Sequence, residues 1–145
     1  MEREGFDSFM DLDLENSKRA DMDIMDLDGD KCMGDGRIKR LTFETCCGSA
    51  EDVYQSFLGG ADRVELNSAL ALGGLTPSMG EFRLARKQDI PIMVMVRPRS
   101  GGFCYTESEY ETMLYDAEAF LSAGADGIVF GFLNPDGTVD VNRCK

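Results

Sequence analysis

The sequence contains no histidine. The commonest general base near neutral pH and the commonest metal ligand are therefore missing. No Cys-x-x-Cys pair occurs among the five cysteines, Cys32, Cys46, Cys47, Cys104 and Cys144. Their number is odd and their spacing irregular, and no basic segment followed by an apolar core marks a secretion signal. Reduced thiols are expected rather than a disulfide framework, with the cytosol as the default location. No apolar run is long enough to span a bilayer, so no membrane helix is expected. Positive charge is also scarce: the chain carries 15 Lys and Arg against 27 Asp and Glu, a net charge of −12. Nucleic acid and anionic membrane surfaces are poor partners for such a chain.

What is present divides into two parts. The first 36 residues hold twelve acids and four bases, a net of −8, and the remainder has a net of −4. In the first part, aspartates from Asp7 to Asp30 are interleaved with Met10, Met22, Met25 and Leu27. Such a segment buries little and repels itself, so residues 1–37 are expected to be a disordered acidic extension. An EF-hand reading fails on register. Counting from Asp26, the positions that need Gly and a bidentate Glu are Lys31 and Arg37. Met22, Met25, Met33 and Cys32 follow no metal-ligand spacing, and a solvated tail is the simpler reading.

Residues 38–145 have the pattern of alternating strands and helices. Leu41 to Cys46 alternates and is β-prone, the expected first strand. Ser49 is a candidate cap for a helix through Val53, Phe57 and Leu58, ended by Gly59-Gly60. Arg63-Val64-Glu65-Leu66 is a short second strand. Ser78 and Glu81 read as a capping box for a second helix through Phe82, Leu84 and Ala85. Ile92 to Val96 is a continuous apolar run, as expected of a parallel strand buried on both faces. Met93 and Met95 within it are expected to fill core. Thr106 and Glu109 read as a second capping box, opening a helix with a stripe through Tyr110, Met113, Leu114, Ala117 and Leu121. Gly127 to Gly131 is the fourth strand, and Val141 is a candidate start for a fourth helix.

The order β-α-β-α-β-α-β suits parallel crossovers. Gly59-Gly60-Ala61-Asp62-Arg63-Val64 is echoed by Ala123-Gly124-Ala125-Asp126-Gly127-Ile128 at a 64-residue offset. A repeat across two β/α units favours a barrel over a doubly wound sheet. The expected fold class is α/β, a partial TIM (β/α)8-type barrel of about four β/α units.

These residues resemble the CutC family. The resemblance rests on Glu44-Thr45-Cys46, on Gly59 to Leu66, and on Gly73-Gly74-Leu75-Thr76-Pro77-Ser78-Met79-Gly80. It rests further on Met95 to Phe103 and on Gly124 to Gly131. It runs from about Leu41 to Cys144 and implies the N-terminal half of an eight-stranded barrel. It also implies a role in copper homeostasis with Cu(I) binding. Cys46 matches a cysteine position of that family, and soft thiolates suit Cu(I). The family's second cysteine position, after the second strand, is Asn67 here. Cys47 is a poor substitute, because adjacent strand residues point to opposite faces. Cys104, in the loop after the third strand, is the candidate second thiol.

In a parallel barrel the active face is at the C-terminal ends of the strands. Glu44 after strand 1, Glu65 after strand 2, and Arg97 and Arg99 after strand 3 are the candidate catalytic residues there. Two carboxylates facing two guanidinium groups suit a small polar or anionic ligand. The plainer alternative is an ion-pair network along the rim. Gly73-Gly74 and Gly101-Gly102 are candidate ligand-approach loops, since glycine lets backbone N–H groups come close.

Three functional readings follow from the sequence. They are a CutC-like copper-homeostasis protein, a barrel enzyme of unassigned reaction on a small polar or anionic substrate, and a half-barrel without independent activity. The last requires association, as a homo-oligomer or with a missing second half, because open strand edges and uncovered apolar faces associate.

Overall fold

The computed structural model describes residues 41–145. The acidic extension, its soft-ligand candidates and the calcium-loop register lie outside the described residues.

The described elements are β1 (Glu44–Cys47), α1 (Ala50–Leu58), β2 (Arg63–Leu66), α2 (Met79–Ala85), β3 (Ile92–Met95), α3 (Glu107–Ser122) and β4 (Gly127–Val129), with a short 3₁₀ turn at Leu70–Leu72. The strands form one parallel sheet in the order β1-β2-β3-β4. Sequence order equals spatial order, as in a barrel wall. A doubly wound sheet would reverse direction partway. The sheet is open: β1 and β4 are both edges.

Each helix starts where its sequence supplies an acceptor for orphan N–H groups. Ser49 Oγ accepts Asp52 N–H at 3.1 Å. Glu51 and Asp52 place negative charge in the first turn of α1, where the helix dipole favours it. Thr106 and Glu109 form the reciprocal capping box expected for α3. The box expected for α2 is only half made. Ser78 Oγ accepts Glu81 N–H at 3.1 Å, but the Glu81 carboxylate reaches across to accept Ala50 N–H at the start of α1. A carboxylate that would have served its own helix instead satisfies its neighbour's.

One face of the sheet packs on the helices. Val64, Leu66, Ile92 and Val94 are fully buried there with Val53 of α1, Phe82 and Ala85 of α2 and Phe120 of α3. Phe82 and Phe120 meet edge to face at 5.4 Å. Burying a side chain of Phe82's size contributes about 1.5–3 kcal/mol. A second cluster joins Val96, Tyr105, Met113 and Phe132.

The opposite face corresponds to a barrel interior. Cys46, Glu65, Met93 and Gly127 lie in one register row across it. No described element covers this face. The run Ile92–Val96 is therefore buried on one side only: Ile92, Val94 and Val96 are in the core, whereas Met93 and Met95 are half-buried. This corrects the expectation of a strand buried on both faces. Met93 lies across the strand gap, with its methyl and sulfur over Gly127, which has no side chain to exclude them.

Three further expectations shift. The first strand begins at Glu44 rather than Leu41, and the fourth ends at Val129 rather than Gly131. Leu41 and Phe43 have side chains 87% and 60% exposed, although the Phe43 backbone is tied to Asp62. Residues 141–144 form turns in place of a fourth helix; Asp140 accepts Asn142 and Arg143 N–H, which holds them as a turn.

Candidate functional site

The mouth is built by the segments that leave the C-terminal ends of the strands. After β2, Asn67 is buried and Ser68 bridges back to Leu75, closing a compact loop over Leu70–Leu72. After β3, Arg97 and Arg99 enter a loop that ends at Thr106.

Glu44 is not at the mouth. It opens β1, at the opposite end of the strand, and its carboxylate pairs with Arg63, which opens β2 directly beside it. The end of a strand at which a residue falls depends on where pairing begins, and pairing begins at Glu44. Glu65, the third residue of β2, is half-buried on the inner face and receives Asn67 Nδ2 at 3.2 Å. Asn67 is itself fixed by its N–H to Cys47 carbonyl bond at 2.8 Å. Asn67 thus orients the mouth carboxylate.

Arg97 is 8% exposed. Its Nη1 donates to the carbonyls of Gly73 at 2.9 Å and Gly74 at 3.2 Å, and Nη2 donates to Gly101 at 2.7 Å. Phe103 lies 4.7 Å from its guanidinium carbon, within range of a cation–π contact. Arg97 N–H donates to Thr76 Oγ1 at 2.8 Å. The glycine loops therefore turn carbonyls, not N–H groups, toward Arg97. The positive φ angles of Gly73, Gly74 and Gly101 permit that orientation.

Arg99 faces another partner. It forms an ion pair with Glu109 and donates to the carbonyls of Ser100, Gly102 and Cys104. Its guanidinium stacks over Tyr105 at 4.9 Å. The Arg99 hydrogen bond, then the Thr106 backbone, hold the Glu109 carboxyl below its ordinary range. Arg99 is thus a tie between the loop and the α3 cap. The four expected charges do not converge: Glu44 is paired with Arg63 at the far end and Arg99 is paired with Glu109 at the start of α3.

Cys46 is exposed on the inner face, beside Glu65 in register. Burial first, then the negative charges of Glu65 and Glu44, push its thiol above the ordinary 9.0. Cys47 points to the helix side, buried, with Ser56 Oγ at 3.4 Å. Cys104 is exposed in the loop after β3, and its carbonyl is held by Arg99. Met93 leans toward β4, away from the strand that carries Cys46. Among the described residues, no group of three or more His, Cys, Asp or Glu could hold a metal ion.

The mouth also uses two residues that were not among the candidate site residues, Thr76 and Phe103. Glu109, expected as part of the α3 capping box, also takes Arg99. A separate cleft of about 700 Å³ lies between the start of α2 and α3, lined in part by Ser68, Ser78, Glu81 and Asp116. Burial there pushes the Asp116 carboxyl up.

Four parallel strands joined by three helices, with an open sheet and a charged mouth, define a partial TIM-type barrel. The chain belongs to the CutC family, which residues 41–145 match. It is 52% identical over 109 residues to a CutC family protein of Treponema denticola, covering 74% of this chain and 44% of that one. It is 43% identical over 110 residues to a human protein named copper homeostasis protein cutC homolog, covering 75% of this chain and 40% of that one. A crystal structure of a CutC protein from Streptococcus agalactiae superposes with a TM-score of 0.66 at 29% identity, covering 72% of this chain and 52% of the other. The chain thus spans less than half the length of these two sequence relatives.

Proposed function

We propose that this chain serves copper homeostasis, with the Cys46 thiol as a soft ligand for Cu(I). The observation that carries this reading is the exposed Cys46 thiol on the inner face, in a member of the CutC family. Thiolates select Cu(I) over harder cations. Cys104, the exposed thiol beyond β3, is the proposed second ligand. Asn67 supplies no sulfur, so the site is a low-coordinate thiolate site rather than a cage. The reading includes a reducing cytosolic setting and a division of the chain into an acidic extension over 1–37 and a barrel segment over 38–145. Among the described residues, no helix is long and apolar enough to cross a membrane. Anaerobic titration with Cu(I) against a competing chelator tests the proposal. Cys46→Ala is expected to abolish binding and Cys104→Ala to weaken it; unchanged affinity in Cys46→Ala overturns the site.

A second reading concerns partners. Among the described residues, the outer edges of β1 and β4 are unpaired, and Phe43 and Phe130 near them are 60% and 42% exposed. These features support association of the half-barrel, with a second copy or with a complementary half. Sedimentation across a hundredfold concentration range tests self-association. A clean, fully folded monomer throughout would remove it.

A further inference from the structure

Among the described residues, the buried cation of the mouth, Arg97, forms no ion pair with a carboxylate. Arg63, Arg86, Arg99 and Arg143 each pair with a carboxylate. Arg97, more deeply buried than any of them, meets only neutral carbonyls and the Phe103 ring. Charges removed from water are normally paired or bound to something charged.

Counting donors locates the vacancy. A guanidinium has five N–H groups. Gly73, Gly74 and Gly101 take three of them. The Nε–H is buried and has no hydrogen-bond partner. One Nη2 hydrogen is also uncommitted, because Nη2 makes a single bond. Nε and Nη2 form one edge of the guanidinium, and that edge matches the paired oxygens of a carboxylate or phosphate. Thr76 adds a hydroxyl beside the Arg97 backbone: its oxygen accepts Arg97 N–H, which leaves its own hydrogen free to donate.

We propose that Arg97 anchors an oxyanion site at the barrel mouth, taking the carboxylate or phosphate group of a small ligand on its Nε edge. In the free chain that edge is covered by protein. Entry of the anion displaces the segment Gly101–Phe103, where Gly101 has a φ of +92° and Gly102 has open space around it. The site is separate from the Cys46 thiol and does not depend on copper.

The test uses the full 145-residue chain at constant ionic strength, with chloride as the balancing anion. Inorganic phosphate and succinate are titrated separately, followed by melting temperature and by the Arg97 Nε–H resonance. The expected result is a saturable rise in melting temperature with one of the two, with the Nε–H resonance moving along the same isotherm. Which anion acts distinguishes a phosphate from a carboxylate ligand. Arg97→Lys keeps the charge but loses the edge, and is expected to weaken binding at least tenfold. Cys46→Ala is expected to leave it unchanged. An Nε–H resonance that stays still under both anions overturns the proposal, as does equal binding by Arg97→Lys. Because the resonance is read in the unsubstituted chain, the test stands even where the variant fails to fold.

Discussion

Asp62 and Asp126, 64 residues apart, make the same two-way clasp. Asp126 Oδ2 accepts Ile92 N–H at 2.8 Å, while Asp126 N–H donates to the Ile92 carbonyl at 3.1 Å. Asp62 Oδ2 accepts Phe43 N–H at 2.8 Å, while Asp62 N–H donates to the Phe43 carbonyl at 2.9 Å. Each aspartate pins the start of its own strand to the start of the strand before it. The sequence echo is thus a register lock used twice.

Asp126 also pairs with Arg86 at 3.1 Å, partly exposed. Asp126→Ala is expected to destabilise the chain by about 1–2 kcal/mol, the scale of a charge-assisted bond discounted for solvent screening. Urea unfolding should show a lower midpoint at unchanged slope. Asp126→Asn keeps a side-chain acceptor and should lose less.

Gly74 has a φ of +81°, and a Cβ there would run into Asn67 Oδ1. Asn67 is buried and tied to Glu65, so it has little freedom to retreat. Gly74→Ala is expected to cost about 1–3 kcal/mol through backbone strain and this clash. Gly137, at +85° with open space around it, is the control. Gly137→Ala should cost less, through its backbone angle alone. Thermal melts of the two variants separate the effects.

The Cys46 thiol is raised by burial, then by Glu65, Glu44 and Cys47. Cu(I) must displace its proton at neutral pH, so affinity for a single thiolate should rise about tenfold per pH unit below that pKa. Glu65→Gln removes one raising charge. Because the displaced proton and the incoming Cu(I) carry the same charge, it should leave both the affinity at pH 7 and the slope nearly unchanged. Competition titrations at pH 6, 7 and 8 measure both.

Glu109 sits below its ordinary 4.5, held first by Arg99 and then by the Thr106 backbone. A lowered folded-state pKa gives stability that is present above the unfolded value and lost as pH falls through the folded one. The Arg99 loop and α3 cap should therefore loosen in acid below about pH 4.5. Glu109→Gln should flatten that dependence, read by hydrogen exchange at the start of α3.

Asp116 behaves oppositely. Burial raises its carboxyl above the ordinary 3.8, so the charged form penalises the fold above its folded pKa, and the penalty vanishes below the unfolded value. Asp116→Asn should raise the melting temperature at pH 7. The difference from the unsubstituted chain should close as pH approaches 3.8.

Local signals in the sequence settled a good deal. Ser49, Ser78 and Thr106 mark the three helix starts, because a side-chain acceptor before an apolar stripe is a local requirement. Arg63–Leu66 and the core of Ile92–Val96 follow from short-range pattern, and the order of elements implies a parallel sheet. The CutC blocks are contiguous and legible for the same reason. What was not legible depends on partners far along the chain. Glu81 caps α1 rather than its own helix, and Glu44 falls at the wrong end of its strand to join the mouth. Arg99 is taken by Glu109, ten residues on, at the start of α3. None of these choices is visible within a few residues of the side chain concerned.

The sequence by itself determined the element order, the helix caps and the family, since each is carried by neighbours in the chain. Only the tertiary structure decided what the four candidate charges do. A charge takes the nearest partner that compensates its loss of water, and nearness is set by register and loop closure. By that rule Glu44 and Arg99 are spent in ion pairs. Glu65 is held by Asn67, and Arg97 alone is left buried among carbonyls with an unfilled edge.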